Sequence, residues 1–362
     1  MGEDSDGAKA QLKEGYRRYT FRKIIFITTC IALAVVAAGY AATLGAREIA
    51  FFDVYRIIFD HIMGATYELG SVDWIDDYVI WNQRLPRVIM ALIAGAGLAI
   101  GGAAMQSLVK NPLADPYTTG ISSGAVFGVT IALVLGLSFT SSISQYGIVL
   151  NAFLLGLAPV GVIVIVSRVS NASPATMILA GVALSYLFRS LSTLLLVSTD
   201  ADTIASAYLW QIGTLENASW SGLPLMFGVT VAGSLFLMFT SRQLNILTLG
   251  DESAKSLGLN AENYRILCLI LIAVMTASII SFTGIIGFIG LVAPHVVRSL
   301  IGGDNKYVIP ASMIFGAAFL LIADIAARSV VAPAELPVGV IMSFIGGPIF
   351  LYIIIRQKRE VW

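Results

Sequence analysis

Apolar runs of spanning length, separated by short polar segments, occupy most of the 362-residue chain. A helix of about 20 apolar residues crosses a bilayer and satisfies its backbone hydrogen bonds internally. The pattern therefore predicts an all-α polytopic membrane protein with ten transmembrane helices. The ten runs are 24–44, 84–108, 121–137, 148–166, 177–197, 223–239, 266–282, 285–301, 308–325 and 338–355.

The runs define one membrane domain with short ends. We assign 24–356 to the domain, 1–23 to an N-terminal tail and 357–362 to a C-terminal tail. Run 24–44 is longer than the apolar region of a signal peptide and follows a longer charged lead, so we interpret it as a retained first span. The composition agrees, because 57% of the residues are hydrophobic, against roughly 45 to 50% in soluble domains.

Basic residues are distributed unevenly between the polar segments. If both termini of a ten-span chain are cytoplasmic, sixteen Lys and Arg residues lie inside. Cytoplasmic loops carry such an excess of basic residues, so the pattern predicts cytoplasmic termini. The formal net charge is zero, which gives no indication of a nucleic-acid partner. The five basic residues outside are Arg47, Arg56, Arg84, Arg87 and Arg328.

One polar stretch, 249–265, interrupts the second half of the chain and reads LGDESAKSLGLNAENYR. Ionised groups at this density are too costly for the bilayer interior, so the stretch lies in water. Ala254, Leu257 and Leu259 recur at helical spacing, which favours one or two short amphipathic helices broken at Gly258. A solvated loop fits the same spacing. Under the predicted orientation the stretch is cytoplasmic, where it can meet a soluble partner.

Glycines are concentrated in two of the runs. Small faces on spanning helices let backbones approach closely, which matters where lipid offers no hydrophobic driving force. We expect one such face on the second span, at Gly95, Gly97, Gly101 and Gly102, and another at the eighth, at Gly284, Gly287 and Gly290.

The sequence carries no pattern typical of an ATPase or a metal site. No Gly-Lys dipeptide occurs, so the phosphate-binding loop of P-loop proteins is absent. Neither His61 nor His295 has a second histidine or a cysteine at metal-ligand spacing. Cys30 and Cys268 fall inside apolar runs, as expected for inert buried thiols. We expect no catalytic residue, metal or cofactor in this chain.

Several phrases between residues 84 and 356 resemble one family throughout. They are similar to the permease subunits of type II ABC importers for cobalamin, haem and iron-siderophores. The likeness is specific, because many long phrases agree at once in the family's order and spacing. The phrases are RLPR at 84–87, Gln106 with NPLADP at 111–116, ISSG at 121–124, LGDESA at 249–254, GIIGFIGLVAPHVVR at 284–298, ADIAAR at 323–328 and ELP at 335–337.

The resemblance implies a ten-helix subunit of the type II importer permease fold in the cytoplasmic membrane of a prokaryote. Such a subunit pairs with a second copy of itself and is powered by two ATP-binding cassette subunits, which bind ATP and Mg. An extracytoplasmic substrate-binding protein delivers the metal chelate. The stretch 249–265 corresponds to the family's coupling helices, which dock on the ATPase subunit. There the resemblance implies that ATP-driven closure is transmitted to the spans by Asp251, Glu252, Ala254, Leu257 and Gly258.

The resemblance also assigns a docking site for the binding protein and a translocation path. Docking falls to Arg84, Arg87 and Arg328, although arginines at helix ends could equally be interfacial anchors. The path follows the fifth and tenth spans at the dimer interface. Its predicted residues are Ser185, Arg189, Ser190, Thr193 and Ser343, and its cytoplasmic gate is 170–176, including Ser173, Pro174 and Thr176.

Arg189 departs from the small or apolar residue usual in the family. It could pair with backbone carbonyls or a distant acid as a structural arginine. Alternatively, it could face the path and attract an anionic ligand, such as a ferric siderophore, a haem propionate or molybdate, because an intramembrane cation is costly enough to need a function.

Two other functions fit a ten-helix chain less well. An ion-coupled secondary transporter should carry several intramembrane acids, and only Asp324 lies within a run. A sensor or channel subunit needs a signalling domain or a ring of pore-lining charge, and neither is visible in the sequence. The path residues do not spell out which substrate is carried.

Overall fold

The computed structural model describes residues 3–45, 47–140, 145–170, 173–332 and 334–356. In this part of the chain the regular structure is helical, apart from one isolated bridge between Ile212 and Ile285. Ile80–Arg84 forms a π-helical turn, and Pro116–Thr119 forms a 3-10 turn. The α-helices are α1 (Glu3–Thr43), α2 (Phe51–Ile62), α3 (Val72–Val79), α4 (Leu85–Leu108), α5 (Ile121–Leu135), α6 (Gln145–Ser170), α7 (Pro174–Val197), α8 (Ala201–Gln211), α9 (Leu223–Phe239), α10 (Ser241–Thr248), α11 (Asp251–Ser256), α12 (Ala261–Thr283), α13 (Ile289–Ile301), α14 (Asn305–Ser329) and α15 (Val338–Arg356). The predicted tail 357–362 lies outside the described residues.

Each of the ten predicted apolar runs forms a helix, but the helices differ in length. Among the described residues, six helical segments are long and apolar enough to cross a membrane: one runs from α3 through α4, and the others lie in α1, α6, α7, α12 and α14. The pair α9 and α10, bent by 60°, is a seventh candidate. The apolar parts of α5, α13 and α15 are shorter, at 10–17 residues. The chain is a multi-pass membrane protein, and the number of ten spans stays a prediction.

The predicted start of the eighth span was wrong. Its helix, α13, begins at Ile289 because the segment before it turns sharply. Gly284 and Phe288 both take left-handed backbone angles, with φ of 67° and 68°, a conformation that glycine adopts without steric cost. The backbone N–H of Gly213 donates to the carbonyl of Ile285 at 3.1 Å. The connection between α12 and α13 is therefore tied to the loop after α8.

α4 is the central helix of the fold. Twenty of its 24 residues are buried, and it contacts α9, α12, α13 and α14. α1 and α7 lie at the rim instead, with only 17% and 11% of their apolar windows buried within the chain. These two helices therefore present much of their surface to lipid or to another chain.

Two glycines bring the backbone of α4 into contact with its neighbours. A Cβ atom on Gly95 would lie 2.3 Å from the carbonyl oxygen of Gly316 in α14. A Cβ atom on Gly102 would lie 2.0 Å from the carbonyl oxygen of Gly290 in α13. Both distances are far shorter than a van der Waals contact, so no larger residue fits without moving a helix.

The predicted small faces were only partly right. Gly97 and Gly101 face away from α13 and α14. They follow Gly95 by two and six residues, and at about 100° per residue these positions lie on roughly the opposite side of the helix. They instead meet side chains of α9 and α12. At the eighth span, Gly284 and Gly287 precede the helix, and Gly290 alone of the predicted three packs on α4.

We expect Gly102→Ala to lower the thermal stability of the purified protein. The new methyl group must displace the backbone of Gly290, and overpacking of this kind costs about 1 to 3 kcal/mol. The measurement is the unfolding midpoint in detergent, followed by intrinsic fluorescence.

The matched control is Gly228→Ala in α9, where a Cβ atom meets nothing within 4 Å. Alanine favours a helix over glycine by up to about 1 kcal/mol, so this variant should keep or raise its midpoint. Equal midpoints for the two variants would show that α4 and α13 are not held in backbone contact.

Candidate functional site

Polar side chains collect at the two ends of the helical bundle. We call one the α2 end, which holds α2, α3 and the first turn of α4. We call the other the α11 end, which holds α10, α11 and the last turn of α4. With 24 residues, α4 reaches about 36 Å from one end to the other.

An ion-pair cluster lies at the α2 end, and all of its members except Glu335 are buried. The carboxylate of Asp324 in α14 is fully buried and accepts a hydrogen bond from Nε of Arg87 at 3.0 Å. It also lies 3.1 Å from Nη2 of Arg328. Arg87 pairs with Glu335 as well. We call Arg84, Arg87, Asp324, Arg328 and Glu335 the arginine cluster.

Two arginines of the cluster bind the last turn of α1. Nη1 of Arg328 donates to the carbonyls of Ala41 and Leu44 at 3.0 and 3.2 Å. Nη1 of Arg84 donates to the carbonyl of Thr43 at 2.9 Å. Carbonyl groups at a helix C-terminus lack intrahelical partners and carry partial negative charge. The two guanidinium groups therefore cap α1 and fix it to α4 and α14.

Arg84, Arg87 and Arg328 are predicted to lie on the outer surface, but they are buried in the structure. Their exposed fractions are only 4%, 8% and 6%, because their guanidinium groups lie against carboxylates and backbone carbonyls of this chain. The surface placement was wrong, since local sequence does not show what lies above a helix end. Contact of these residues with a binding protein stays a prediction.

A cavity of about 470 Å³ opens beside the arginine cluster. Arg47, Gln83, Glu216 and Asn217 line it together with members of the cluster. Arg47 pairs with Asp76 of α3, so the α2–α3 segment is tied to the same site. Both signs of charge surround the cavity, and it is therefore not a simple anion site.

The polar stretch 249–265 forms a short helix, a turn and the start of a longer helix at the α11 end. α11 covers Asp251–Ser256, Gly258 makes the turn with φ of 81°, and α12 follows. Glu252 is exposed, and Leu257 is 61% exposed. Ala254 is fully buried, and its methyl group packs into this chain's own core. Its part in transmitting closure to the spans stays a prediction.

Asp251 ties α11 to the end of α4. Its Oδ1 accepts a hydrogen bond from Nη2 of Arg265 at 2.8 Å and lies 3.3 Å from Nζ of Lys110. Nε of the same arginine donates to the carbonyl of Leu108, the last residue of α4, at 3.1 Å. We call this arrangement the Asp251 latch. Asp251 therefore connects α11 to α12 and to the end of α4, and its part in transmitting closure to the spans stays a prediction.

The charge of Asp251 is favoured within the latch. Burial opposes ionisation, but the hydrogen bond and charge of Arg265, followed by those of Lys110, hold the pKa of Asp251 below its ordinary value. A lowered folded-state pKa stabilises the protein above the unfolded pKa, near 4, and this contribution is lost as pH falls through the folded pKa. Asp251 is therefore ionised at neutral pH.

A second polar network at the α11 end was not predicted from the sequence. Asn245 in α10 donates through Nδ2 to Asp304 at 2.8 Å and accepts from the backbone N–H of Asn305 at 2.8 Å. Nη2 of Arg298 donates to Oγ of Ser107 in α4 at 3.0 Å and lies 3.3 Å from Oδ1 of Asn305. The network joins α10, α13, α14 and α4. Polar residues at run ends were the only signal for it, and their pairing could not be read from spacing.

The predicted path residues are mostly exposed, on α7 and α15. Arg189, Ser190 and Thr193 lie on the exposed face of α7, and Ser343 is exposed on α15. Ser185 is only half-buried. The hydroxyls of Ser185, Thr193 and Ser343 donate to carbonyls of their own helices, four residues back, at 2.8 to 3.0 Å. These hydroxyls therefore make only a weakly polar wall.

The predicted gate residues begin α7. Oγ of Ser173 accepts a hydrogen bond from the backbone N–H of Thr176 at 3.2 Å, and Pro174 is the first helical residue. This is a standard helix N-terminus, since the cap satisfies a free N–H and proline needs none. Residues 171–172 of the gate lie outside the described residues, and gating stays a prediction.

The described residues include no group of three or more His, Cys, Asp or Glu side chains placed to hold a metal ion. Nδ1 of His61 lies 2.7 Å from the carboxylate of Asp77, and its ring stacks on Trp81. Cys30 and Cys268 are buried free thiols.

Comparison with known proteins gives these features a family. Residues 27–356 match the FecCD transport family. The hemin transport system permease protein HmuU of Yersinia pestis is 36% identical, over 91% of this chain and 95% of its own length. The iron(3+)-hydroxamate import system permease protein FhuB of Bacillus subtilis is 35% identical, over 94% of this chain and 85% of its own length.

A solved structure also shares the fold. It is a transporter assigned to the metal-chelate type of ABC transporter, in an inward-facing conformation, and it matches with a TM-score of 0.79 at 29% identity. The match covers 91% of this chain and 99% of that chain. The resemblance seen in the sequence phrases is confirmed. The chain belongs to the FecCD transport family.

Proposed function

We propose that this chain is the permease subunit of an ATP-driven importer that moves a metal chelate, of the iron-siderophore, haem or cobalamin class, across the cytoplasmic membrane of a prokaryote. Its ten spans would place both termini and the α11 end in the cytoplasm and the α2 end outside, as the distribution of basic residues favours. The matched family supports this proposal, as do two similar proteins named as permeases for hemin and iron hydroxamate.

The main support for the proposal is the way α11 is attached to the rest of the chain. Glu252 and Leu257 are exposed, while the Asp251 latch and the buried Ala254 hold the helix to α4 and the core. Packed elements with two discrete arrangements transmit a displacement instead of absorbing it. ATP binding shifts the permease between arrangements only if the two ATPase states contact α11 differently.

ATP and Mg belong to the partner in this proposal. Two separate ATP-binding cassette subunits would bind them, because this chain has no phosphate-binding loop. The permease contributes no catalytic residue. Its part is to convert the movement of the cassettes into a change of access to the path.

A second copy of the chain would cover the exposed faces of α7 and α15. Large apolar side chains are exposed there, among them Leu179 and Leu194 on α7 and Phe344 on α15. The path would run between the two α7 helices and be lined by the exposed Arg189, Ser190 and Thr193. A wall whose hydroxyls mostly bond to their own helices suits a cargo that must pass without tight binding.

The α2 end would receive the substrate-binding protein. The three arginines and Asp324 of its arginine cluster are buried, so in this proposal the cluster holds the docking platform together, while the cavity beside it offers charges of both signs. Complementary charge at such a surface speeds association and sets the register of the two proteins.

Glu252→Ala should abolish most of the ATPase stimulation by the liganded binding protein while the complex still assembles. Loss of one well-placed interface contact costs about 1 to 2 kcal/mol, which corresponds to roughly a tenfold lower stimulated rate. The measurement is phosphate release by the permease co-purified with its cassette subunits in nanodiscs. If no ATPase subunit binds the permease, the coupling assignment fails and an ion-coupled secondary transporter becomes the better account.

Glu68→Ala is the matched control, because Glu68 is an exposed acid between α2 and α3, at the other end of the bundle. At saturating binding protein, which offsets any weaker docking at the α2 end, it should leave the stimulated rate unchanged. Equal losses in both variants would mean that the effect of Glu252 is not specific to α11.

Arg189→Ala should lower the uptake of an anionic chelate, while Arg189→Lys should keep most of it, because only the alanine variant removes the positive charge from the path. Electrostatic attraction in a confined site changes association by about tenfold or more. The measurement is uptake into proteoliposomes with equal amounts of assembled complex. Unchanged uptake by the alanine variant would assign Arg189 a structural role.

Arg87→Ala should destabilise the fold, because it leaves the buried carboxylate of Asp324 with Arg328 as its remaining charged partner. Breaking a buried ion pair costs about 3 to 5 kcal/mol. The measurement is the thermal midpoint, with the exposed Arg56→Ala as a control of unchanged stability. An Arg87→Ala protein of normal stability that no longer binds the binding protein would favour direct docking.

A further inference from the structure

α2 is an amphipathic helix that neither the coupling site nor the path uses. Its residues divide among three sides at 100° per residue. Val54 and Ile57 are buried in a small cluster with Ala42 of α1 and Ile80. Three charged residues share a second side. A third side is apolar and exposed, and it carries Phe51, Phe52, Tyr55, Phe59 and Ile62.

The exposed apolar side is large for a surface in water. Phe52 is 83% exposed, and Phe59 and Ile62 are each 61% exposed. The aromatic rings are in mutual contact, with centroids of Phe51 and Phe52 5.4 Å apart and those of Phe51 and Tyr55 5.1 Å apart. Contiguous exposed apolar patches of this kind mark a contact with a membrane or another macromolecule.

The position of Tyr55 shows which way this side faces. The hydroxyl of Tyr55 packs against Gly39 of α1, since a Cβ atom added to that glycine would lie only 2.7 Å from the hydroxyl oxygen. Gly39 is four residues before the end of α1, about 6 Å along the helix axis from its last residue. The middle of the apolar side is therefore turned back along α1, toward the bilayer interior.

The same side adjoins an exposed apolar surface of α1. Val35, Val36 and Tyr40, on the last turns of α1, are 66%, 70% and 50% exposed. Gly39, which Tyr55 approaches, lies on the same turns, so exposed apolar side chains pass from a spanning helix to a helix at its end. Tyrosine and tryptophan rings are enriched at this level of a bilayer because they combine an apolar body with a polar edge, and Tyr40 and Tyr55 are placed there.

The charged side of α2 engages other polar groups of the α2 end. Nη2 of Arg56 lies 3.3 Å from Asp53 in the same helix and 3.9 Å from Asp73 of α3. These side chains are 45% to 59% exposed, so they lie in water. A helix with one side in water and an apolar side turned to lipid is typical of an interfacial helix.

We propose that α2 is an interfacial helix whose apolar side, centred on Phe52, Tyr55 and Phe59, is embedded in the lipid leaflet at the α2 end. The leaflet then supports α2 and α3. Asp76 of α3 pairs with Arg47, which lines the cavity beside the arginine cluster. Only the membrane location of the chain is needed for this inference. It does not depend on the cargo or on ATP.

Spin labels at matched positions test the proposal on the permease alone in nanodiscs. Labels on Phe52→Cys and Phe59→Cys report the apolar side, and labels on Arg56→Cys and Asp60→Cys report the charged side. The native Cys30 and Cys268 are buried, and an unsubstituted sample measures their background. The readout is the collision rate of each label with oxygen, which concentrates in lipid, and with a water-soluble nickel chelate.

Labels at 52 and 59 should collide several-fold more with oxygen relative to nickel than labels at 56 and 60. Equal nickel collision at all four positions would overturn the proposal, because the apolar side would then lie in water. Protection of 52 and 59 from both reagents would also overturn it in favour of a protein cover. If nickel collision at 52 and 59 is high and falls only when the binding protein is added, the surface is a protein docking site instead.

Discussion

Direct contact between the backbone of α4 and the backbones of α13 and α14 organises this helical bundle. Lipid tails are as apolar as leucine side chains, so a spanning helix gains little hydrophobic energy by leaving lipid for a neighbouring helix. Close packing must supply the attraction, and Gly95 and Gly102 allow it by admitting the carbonyls of Gly316 and Gly290. α13 and α14 are held at a separation that no larger residue would permit. The remaining spans are arranged around this core.

The two polar ends take their geometry from the same helix. α4 carries Arg87 at its start and ends at Leu108, whose carbonyl accepts from Arg265. Buried charges are costly unless partners surround them, and each end meets this condition through residues from other helices. A rigid α4 therefore connects the arginine cluster to the Asp251 latch. A displacement of α11 has a continuous packed route through the bundle.

Parts of the predicted site could be recognised in the sequence, but the accessibility of their residues could not. The stretch 249–265 was recognised as polar and helical, and Glu252 and Leu257 are exposed as a contact surface requires. Ala254 is buried in the same helix, because one side of a short helix must pack on the protein. The arginine cluster shows the same limit on a larger scale. Arg87 and Asp324 are 237 residues apart, and no local sequence pattern predicts that they pair.

The class of the protein, the helical state of its ten apolar runs and its family could all be predicted from the amino-acid sequence. These properties are local or compositional, since hydrophobicity and periodicity act within about 20 residues. Three features depended on tertiary packing: where α13 begins, which helix each glycine contacts, and which charged side chains pair inside the protein. The tertiary structure also showed that the apolar side of α2 points along α1. Those outcomes depend on contacts between distant segments, because burial and pairing are properties of the packed bundle and not of any one helix.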